Sequence, residues 1–257
     1  MNAIVICVFN QIKYLEMCFL LLESIDLYSS IGKKFDLIVY TSTLFKDKII
    51  EKFTDKPWLV FEINDNYNDI NTSCKARMDV FEFSCCPRYE KFLYLDTDVL
   101  VKGDLNTVFN LCEKDVIYAS FEGSIIEDTI SSRKFSCIEL MNSEELKQYN
   151  GKKIFTTGVM LFNNSKPLRD LFFKIKTDMI TREQFFCTYD QPYIIYNALV
   201  SNLYDIVVLD DYVANRNLHV NTKYIIHHFP EETGAPGNRL DWMSKFLEDY
   251  RLYIKNK

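Results

Sequence analysis

Apolar runs alternate with helix-length segments along the first hundred residues of the chain. Residues 3–9, AIVICVF, form a continuous apolar run of strand length, which is the pattern of a strand buried on both faces. Residues 35–41, FDLIVYT, are predicted to form a second strand. Between them, residues 14–25 are long enough for a helix and apolar on most sides, which predicts a buried helix. The alternation continues through a short helix, a strand, a segment of mixed helical character and a fourth strand, at 47–53, 57–63, 75–86 and 91–95.

This order of elements predicts an α/β protein with a mostly parallel central sheet and helices on both faces. The second half of the chain is less regular, and the polar stretch 122–150 is long for a loop, so we expect a lid or a helical insert there. No linker rich in Pro, Gly and Ser divides the chain, so we expect residues 1–257 to form a single domain. The remaining elements that the pattern predicts are strands at 115–121, 153–163, 205–210 and 223–229, and helices that start after Ser165 and at Asp190.

Composition narrows the class of protein. A chain of 257 residues that is 48% hydrophobic has enough apolar surface for a sizeable core. A net charge of −6 argues against a general binder of nucleic acid or of anionic membranes. The eight cysteines include an adjacent pair and no C-x-x-C motif, so we expect reduced thiols and a reducing compartment. Polar residues from Asn10 onward break the first apolar run, and no run reaches the length of a membrane span, so we expect no signal peptide and a soluble, cytoplasmic protein.

Two carboxylates stand at the end of the fourth predicted strand. The run KFLYL is followed at once by Asp96, Thr97 and Asp98, and the apolar pattern resumes at 99–101. Ligands of open α/β sheets bind beyond the carboxyl ends of the strands, so we expect these carboxylates at a ligand site. Two carboxylates that converge on one cation favour Mg²⁺ or Mn²⁺. The alternative is a solvated turn in which aspartate caps the local backbone.

Two further motifs near the C terminus add candidate ligands. His227 and His228 end a predicted strand, where adjacent side chains face opposite sides, so only one imidazole can point into a given site. That imidazole would complete an Asp/Asp/His site for Mn²⁺, and a pair of half-buried histidines is the alternative. Residues 233–239, TGAPGNR, contain two of the seven glycines and Arg239. This composition suits phosphate binding and is also typical of an ordinary turn.

Four more residues have a functional interpretation beside a structural one. Arg77 precedes the aspartate-bearing strand and would hold a carboxylate or phosphate if it lies in a cleft. Tyr14 begins the first predicted helix, where its ring can stack on a base or simply pack in the core. Asp190 and Gln191 open a later helix, where they can bind substrate hydroxyls, although aspartate is also a common N-cap.

Taken in order, these motifs resemble the retaining glycosyltransferases of family 8, the group that contains glycogenin and the bacterial lipooligosaccharide galactosyltransferases. The resemblance runs along nearly the whole chain. It implies a GT-A fold, which is a Rossmann-like, mostly parallel sheet followed by a smaller, irregular C-terminal half. It also implies a UDP-sugar donor, with glucose or galactose as the transferred hexose. The matching segments are the helix from Tyr14 to Ile25, Arg77, YLDTDVLV, FTTGVMLFN, YDQPYIIYN and the terminal IIHHF with its two following glycines.

The resemblance also implies roles for individual residues. Mn²⁺, or Mg²⁺ in its place, would be held by Asp96, Asp98 and the histidine that precedes Phe229, which is His228. Uracil would stack on Tyr14. Catalytic roles are implied for Arg77, Asp190 and Gln191. The residues implied to contact the donor are Tyr14, Asn10, Arg77, Thr97, Glu122, Thr157, Gly234, Gly237 and Arg239.

The chain departs from the family pattern at two places. Thr156 stands where relatives have an asparagine that faces the donor sugar, and the lysine that usually follows the metal histidine is missing. Arg239 would then supply the missing positive charge to the β-phosphate. We therefore expect a metal-dependent hexosyltransferase that acts on a saccharide or protein acceptor with retention of configuration. A homodimer is compatible with this expectation, since several relatives dimerise.

Two alternatives remain open. A nucleotidyltransferase is also α/β and metal-dependent, but the first strand is followed by FNQIKY, which lacks the usual Gly-rich loop. The second alternative is a nucleotide-sugar-binding protein without turnover, which the threonine at position 156 makes worth testing.

Overall fold

The computed structural model describes residues 1–29, 34–125, 137–182, 190–230 and 237–256. Within these residues the strands form two sheets, one of seven strands and one of three. In chain order the strands are β1 (Asn2–Val8), β2 (Phe35–Thr41), β3 (Leu59–Ile63), β4 (Lys91–Leu95), β5 (Val99–Val101), β6 (Ile117–Ser124), β7 (Lys153–Asn163), β8 (Tyr204–Asp205), β9 (Val213–Asn215) and β10 (Ile226–His228).

Helices cover the central sheet and fill the connections between its strands. Two begin with reciprocal capping boxes, at Asn142 with Glu145 and at Asn238 with Asp241. Among the described residues no helix combines the length and the apolar character that crossing a bilayer requires. In chain order the α-helices are α1 (Ile12–Tyr28), α2 (Thr43–Lys52), α3 (Ile70–Ser73), α4 (Asn106–Phe109), α5 (Ser143–Tyr149), α6 (Lys166–Thr181), α7 (Gln191–Ser201) and α8 (Arg239–Lys255).

The central sheet has the strand order β3-β2-β1-β4-β7-β6-β8. Strands β3, β2, β1 and β4 are parallel, as the alternating pattern predicts, and β7 runs antiparallel to both of its neighbours. Side chains of β1 divide between two core clusters, with Ala3 and Val5 in one and Ile4 and Ile6 in the other. Burial on both faces explains why the strand is an unbroken apolar run, and the predicted α/β architecture is confirmed.

The three-stranded sheet joins two distant parts of the chain beside the end of β4. Its order is β5-β10-β9, with β10 antiparallel to β5 and parallel to β9. Residues 96–98 form the short crossing between β4 of the central sheet and β5 of the small one. In this register His228 pairs with Val99 on one side and with Asn215 on the other. The pairing therefore brings a C-terminal histidine next to the aspartate pair.

Other elements differ from the sequence pattern. The predicted strand at 205–210 is wrong: β8 ends at Asp205, and Val208–Asp211 is a 3₁₀ turn. The Asp205 carboxylate accepts hydrogen bonds from the N–H groups of Val207 and Val208, which turns the chain away from the sheet. The helical character predicted for 75–86 takes the form of a 3₁₀ helix, Ala76–Glu82. Helix α5 lies in the stretch 122–150, of which 126–136 are outside the described residues.

Candidate active site

A cavity of about 290 Å³ opens at the carboxyl ends of β1 and β4. This is the edge at which open α/β sheets bind ligands. Asn10, which is exposed, and Gly237 do not line the cavity, and Gly234 lies outside the described residues. The predicted site residues that line it are Tyr14, Arg77, Asp96, Thr97, Asp98, Glu122, Thr157, Asp190, Gln191, His228 and Arg239.

Three of these side chains converge on one point. Asp96, Asp98 and His228 each offer one ligand atom, and these atoms all lie within 4.8 Å of one another. The His228 Nε2 atom is 3.5 Å from Asp98 Oδ1, while its Nδ1 atom is 2.9 Å from the Asn215 side-chain oxygen. The Asn215 contact orients the ring so that Nε2 faces the carboxylates. His227 points away and packs against Phe246, with the ring centroids 4.4 Å apart.

Asp98 is buried and its two oxygens have different surroundings. Oδ2 forms an ion pair with Arg239 Nη1 at 2.6 Å. Oδ1 is buried without a hydrogen bond in the described structure. Burial opposes ionisation of this carboxyl, but His228 and Arg239 outweigh it and lower the pKa of Asp98. Burial likewise disfavours protonation of His228, but Asp98 outweighs it and raises the pKa of the imidazole. Oδ1 thus lies buried with the His228 imidazole facing it at 3.5 Å.

Asp96 is held by its neighbours on the strand and by Arg77. Its Oδ1 atom accepts a hydrogen bond of 2.6 Å from the Tyr94 hydroxyl, and Arg77 Nη2 lies 3.3 Å away. The Arg77 guanidinium lies over the Tyr94 ring, 4.6 Å from its centroid. Both contacts use the same carboxylate oxygen.

Arg77 also links Asp96 to the start of α7. Its Nε atom forms an ion pair with Asp190 Oδ2, and its Nη1 atom donates a hydrogen bond of 2.8 Å to the Thr157 carbonyl. Asp190 is buried, and burial raises the pKa of this carboxyl to about 6 although Arg77 acts in the opposite direction. Arg77 is therefore a bridge between two acidic residues and β7.

Gln191 extends this network across the cavity. Its Oε1 atom accepts hydrogen bonds from the Thr157 N–H at 3.3 Å and the Thr157 hydroxyl at 3.1 Å. Its Nε2 atom donates to Glu122 Oε2 at 2.9 Å, and Glu122 Oε1 is 3.4 Å from Arg216 Nη2. Thr157, Gln191, Glu122 and Arg216 thus form one continuous chain of polar contacts along the cavity wall.

Two cavity residues were missed or undervalued by reasoning from the sequence. A Cβ atom on Gly158 would lie 2.5 Å from His228 Cε1 and closer still to Nε2, so only glycine allows this approach. The glycine stands in FTTGVMLFN, but no local pattern identifies its partner. Arg216 follows the three-residue strand β9 and lines the cavity, and nothing in the surrounding sequence distinguishes it from a surface arginine.

The cavity lies at the ligand-binding edge of an open α/β sheet, and the comparisons identify the family. The chain belongs to glycosyl transferase family 8, whose model matches residues 45–204, more than half of the sequence. It is therefore a glycosyltransferase. Comparison with curated protein sequences gives no match.

Solved structures of glycosyltransferases have the same fold. Bifunctional WbbM in its apo form is 15% identical with a TM-score of 0.64, and the match covers 100% of this chain and 51% of WbbM. The galactosyltransferase LgtC, solved with donor and acceptor sugar analogues, is 15% identical with a TM-score of 0.64, covering 96% of this chain and 95% of LgtC. GlyE of Streptococcus pneumoniae TIGR4 is 16% identical with a TM-score of 0.59, and the match covers 98% of this chain and 63% of GlyE. The chain thus spans about half the length of WbbM, and the likeness establishes the GT-A fold.

Proposed function

We propose that this protein transfers a hexosyl group, glucose or galactose, from a UDP-sugar to a saccharide or protein acceptor with retention of configuration. The observation that carries the proposal is the convergence of Asp96, Asp98 and His228 within 4.8 Å in one cavity of a family 8 glycosyltransferase. The galactosyltransferase LgtC, which has the same fold, was solved with donor and acceptor sugar analogues, and this supports a similar pair of ligands here.

The residues present fit a divalent cation. Asp98 Oδ1 is a buried oxygen without a hydrogen-bond donor, which is costly unless a positive group faces it. Two carboxylates and one imidazole form a donor set that suits Mn²⁺, and Mg²⁺ accepts the same oxygens. We propose Asp96, Asp98 and His228 as the protein ligands. When bound, such a cation supplies positive charge to the departing diphosphate.

Arg239 is proposed to assist the same leaving group. It is the first residue of α8, and its guanidinium already lies 2.6 Å from Asp98. A guanidinium at this place can donate to a phosphate oxygen beside the metal ligands. This contact would replace the lysine that relatives carry after the metal histidine. Gly234 and Gly237, which precede the helix, remain proposed contacts of the diphosphate.

Arg77, Asp190 and Gln191 are proposed to hold the donor sugar. Asp190 is ion-paired with Arg77, which ties up the carboxylate that a double-displacement reaction would use as nucleophile. Gln191 accepts from Thr157 and donates to Glu122, so both ends of its amide are engaged by the protein. This arrangement favours same-face attack by the acceptor, assisted by the leaving phosphate, over a covalent intermediate.

The remaining donor contacts stay proposals. Tyr14 lines the cavity near the end of β1 and is proposed to stack on uracil. Thr97, Glu122 and Thr157 also line the cavity and are proposed to contact the donor. Asn10 is exposed and away from the cavity lining, so a donor contact there would require the residue to move.

The test is release of UDP. The purified protein is incubated with UDP-glucose or UDP-galactose and with glucose or galactose as the acceptor that takes the hexose, with Mn²⁺ or with a chelator, and free UDP is measured by a coupled assay. We expect release that requires the cation and that Asp98→Asn abolishes. Asp170→Asn, an exposed residue ion-paired on α6, is the matched control. Cation-independent release, or tight UDP binding without release from either donor, would contradict the proposal.

A further inference from the structure

Arg216 has an unusual backbone conformation beside the metal-ligand cluster. Its φ angle is 57°, in the left-handed region that favours glycine. The conformation is held by a hydrogen bond of 3.1 Å from the Arg216 N–H to the His228 carbonyl. Strained backbone of this kind concentrates at ligand sites. The residue before it, Asn215, orients the His228 ring.

Arg216 is also the most exposed charged side chain that lines the cavity. Its side chain is 39% exposed, compared with 28% for Asp96 and 20% or less for the other charged residues of the lining. Glu122, its partner, is 17% exposed. Of the two partners, the guanidinium is therefore the more accessible to a molecule from solvent.

The guanidinium of Arg216 keeps most of its hydrogen-bonding capacity. Across the described ranges its side chain has one partner, Glu122 Oε1 at 3.4 Å, which is long for a hydrogen bond. Glu122 is held independently, because its other oxygen accepts from Gln191. Arg77, in contrast, contacts two aspartates and a carbonyl. A guanidinium has five N–H donors in a planar fork that matches carboxylates and phosphates.

We propose that Arg216 recognises an anionic substituent, a phosphate or a carboxylate, on the acceptor sugar. The inference rests on the proposed function, because it assigns the inner part of the cavity to the UDP-sugar and the outer part to the acceptor. The diphosphate of the donor occupies the cluster of Asp96, Asp98 and His228 with Arg239. The acceptor arrives from the open side, where the Arg216 fork forms charge-assisted hydrogen bonds with its anionic group.

The experiment measures acceptor binding to the protein loaded with Mn²⁺ and saturating UDP. Binding of UDP with and without Mn²⁺ is measured first, so that failure of the proposed donor site is seen separately. Glucose, glucose 6-phosphate and glucuronate are then titrated by calorimetry at physiological salt, and the galactose series is titrated in the same way. We expect an anionic sugar to bind at least about tenfold more tightly than its neutral parent, the gain typical of a charged hydrogen bond.

Substitutions assign this preference to Arg216. Arg216→Gln should remove the difference between anionic and neutral sugars, and Arg216→Lys should retain part of it. The matched control is Arg251→Gln, because Arg251 is 42% exposed and ion-paired with Glu23 on another face. Tighter binding of glucose 6-phosphate identifies phosphate as the anionic group that Arg216 recognises, and tighter binding of glucuronate identifies carboxylate. Equal binding of all three sugars, no binding of either anionic sugar, or an equal effect of the two glutamine variants would overturn the inference.

Discussion

The substitution Gly158→Ala would test how closely β7 packs against the candidate metal site. An added Cβ would lie 2.5 Å from His228 Cε1 and 3.0 Å from Cδ2. Carbon atoms in contact are normally about 3.5 Å apart, so the ring or the strand must shift by roughly 1 Å. The ring is held on its far side by Asn215, and the Gly158 carbonyl accepts a hydrogen bond of 2.8 Å from the Asp96 N–H. Either movement therefore displaces one of the three proposed ligands.

Two magnitudes follow from this geometry. Overpacking in a well-packed interior costs about 1–3 kcal/mol in free energy of unfolding. Displacing or reorienting a ligand typically lowers metal affinity by about 10- to 100-fold. We therefore expect Gly158→Ala to remain folded with reduced stability and to bind Mn²⁺, in the presence of UDP, at least about tenfold more weakly.

The assay combines urea denaturation with calorimetric titration of Mn²⁺ in the presence of UDP. Two other glycines provide controls. A Cβ on Gly123 would meet nothing within 4 Å, so Gly123→Ala should change neither quantity much. A Cβ on Gly103 would lie 2.8 Å from Ile225 Cγ2, so Gly103→Ala reports overpacking away from the cavity. We expect Gly103→Ala to lose stability and keep its Mn²⁺ affinity.

Either of two outcomes would refute this reasoning. If Gly158→Ala binds Mn²⁺ as tightly as Gly123→Ala, then His228 is not a ligand held against β7. If Gly103→Ala and Gly158→Ala weaken Mn²⁺ binding equally, the weakening is caused by general destabilisation and not by displacement of a ligand.

Three further predictions concern single side chains. Asp98→Asn should weaken Mn²⁺ binding in the presence of UDP by more than about tenfold in calorimetry, because it removes an ionised ligand. Arg239→Gln should weaken UDP much more than uridine, since the guanidinium is proposed to contact phosphate, and competition binding measures both. His227 is buried, and burial lowers its pKa from 6.5 to about 4. The folded protein then binds fewer protons than the unfolded chain between these values, so stability should fall by up to about 3 kcal/mol as pH drops from 6.5 to 4. Urea denaturation across this range should show a smaller fall in His227→Gln.

Each of these predictions has its own control. Asp170→Asn should leave Mn²⁺ affinity intact, and an equal loss there would remove Asp98 from the metal site. Equal weakening of UDP and uridine would remove Arg239 from the phosphate site. If wild type and His227→Gln lose the same free energy of unfolding between pH 6.5 and 4, the acid sensitivity arises from other groups.

The first half of the fold was accessible from the sequence because its signals are local. A strand buried on both faces is apolar at nearly every position, and β1, β2 and β4 are such strands, with polar residues confined to the ends apart from Asp36 of β2. The aspartate pair was also recognisable from a local signal, because two carboxylates directly after the apolar strand KFLYL are unusual. The strand predicted at 205–210 runs past the end of β8, because the turn that ends β8 depends on a hydrogen bond to the Asp205 side chain. Periodicity carries no information about such a bond.

Pairings between distant segments were not accessible in this way. The antiparallel direction of β7 depends on its place between β4 and β6, and the run 153–163 is equally apolar in either direction. Arg216 lines the cavity because β9, which precedes it, pairs with β10. Each of these strands has three residues, which is too short to show the alternation of polar and apolar residues that identifies a strand in a sequence.

The amino-acid sequence by itself determined which segments form the parallel strands, where their carboxyl ends lie, and which residue types stand there. It did so because burial and backbone geometry act over a few neighbouring residues. The tertiary structure places His228 facing Asp98, as the family resemblance implied from the sequence. Only the tertiary structure decided that Gly158 leaves room for the imidazole and that Arg216 borders the cavity. Those arrangements depend on contacts between segments far apart in the chain, and such contacts exist only once the two sheets have formed.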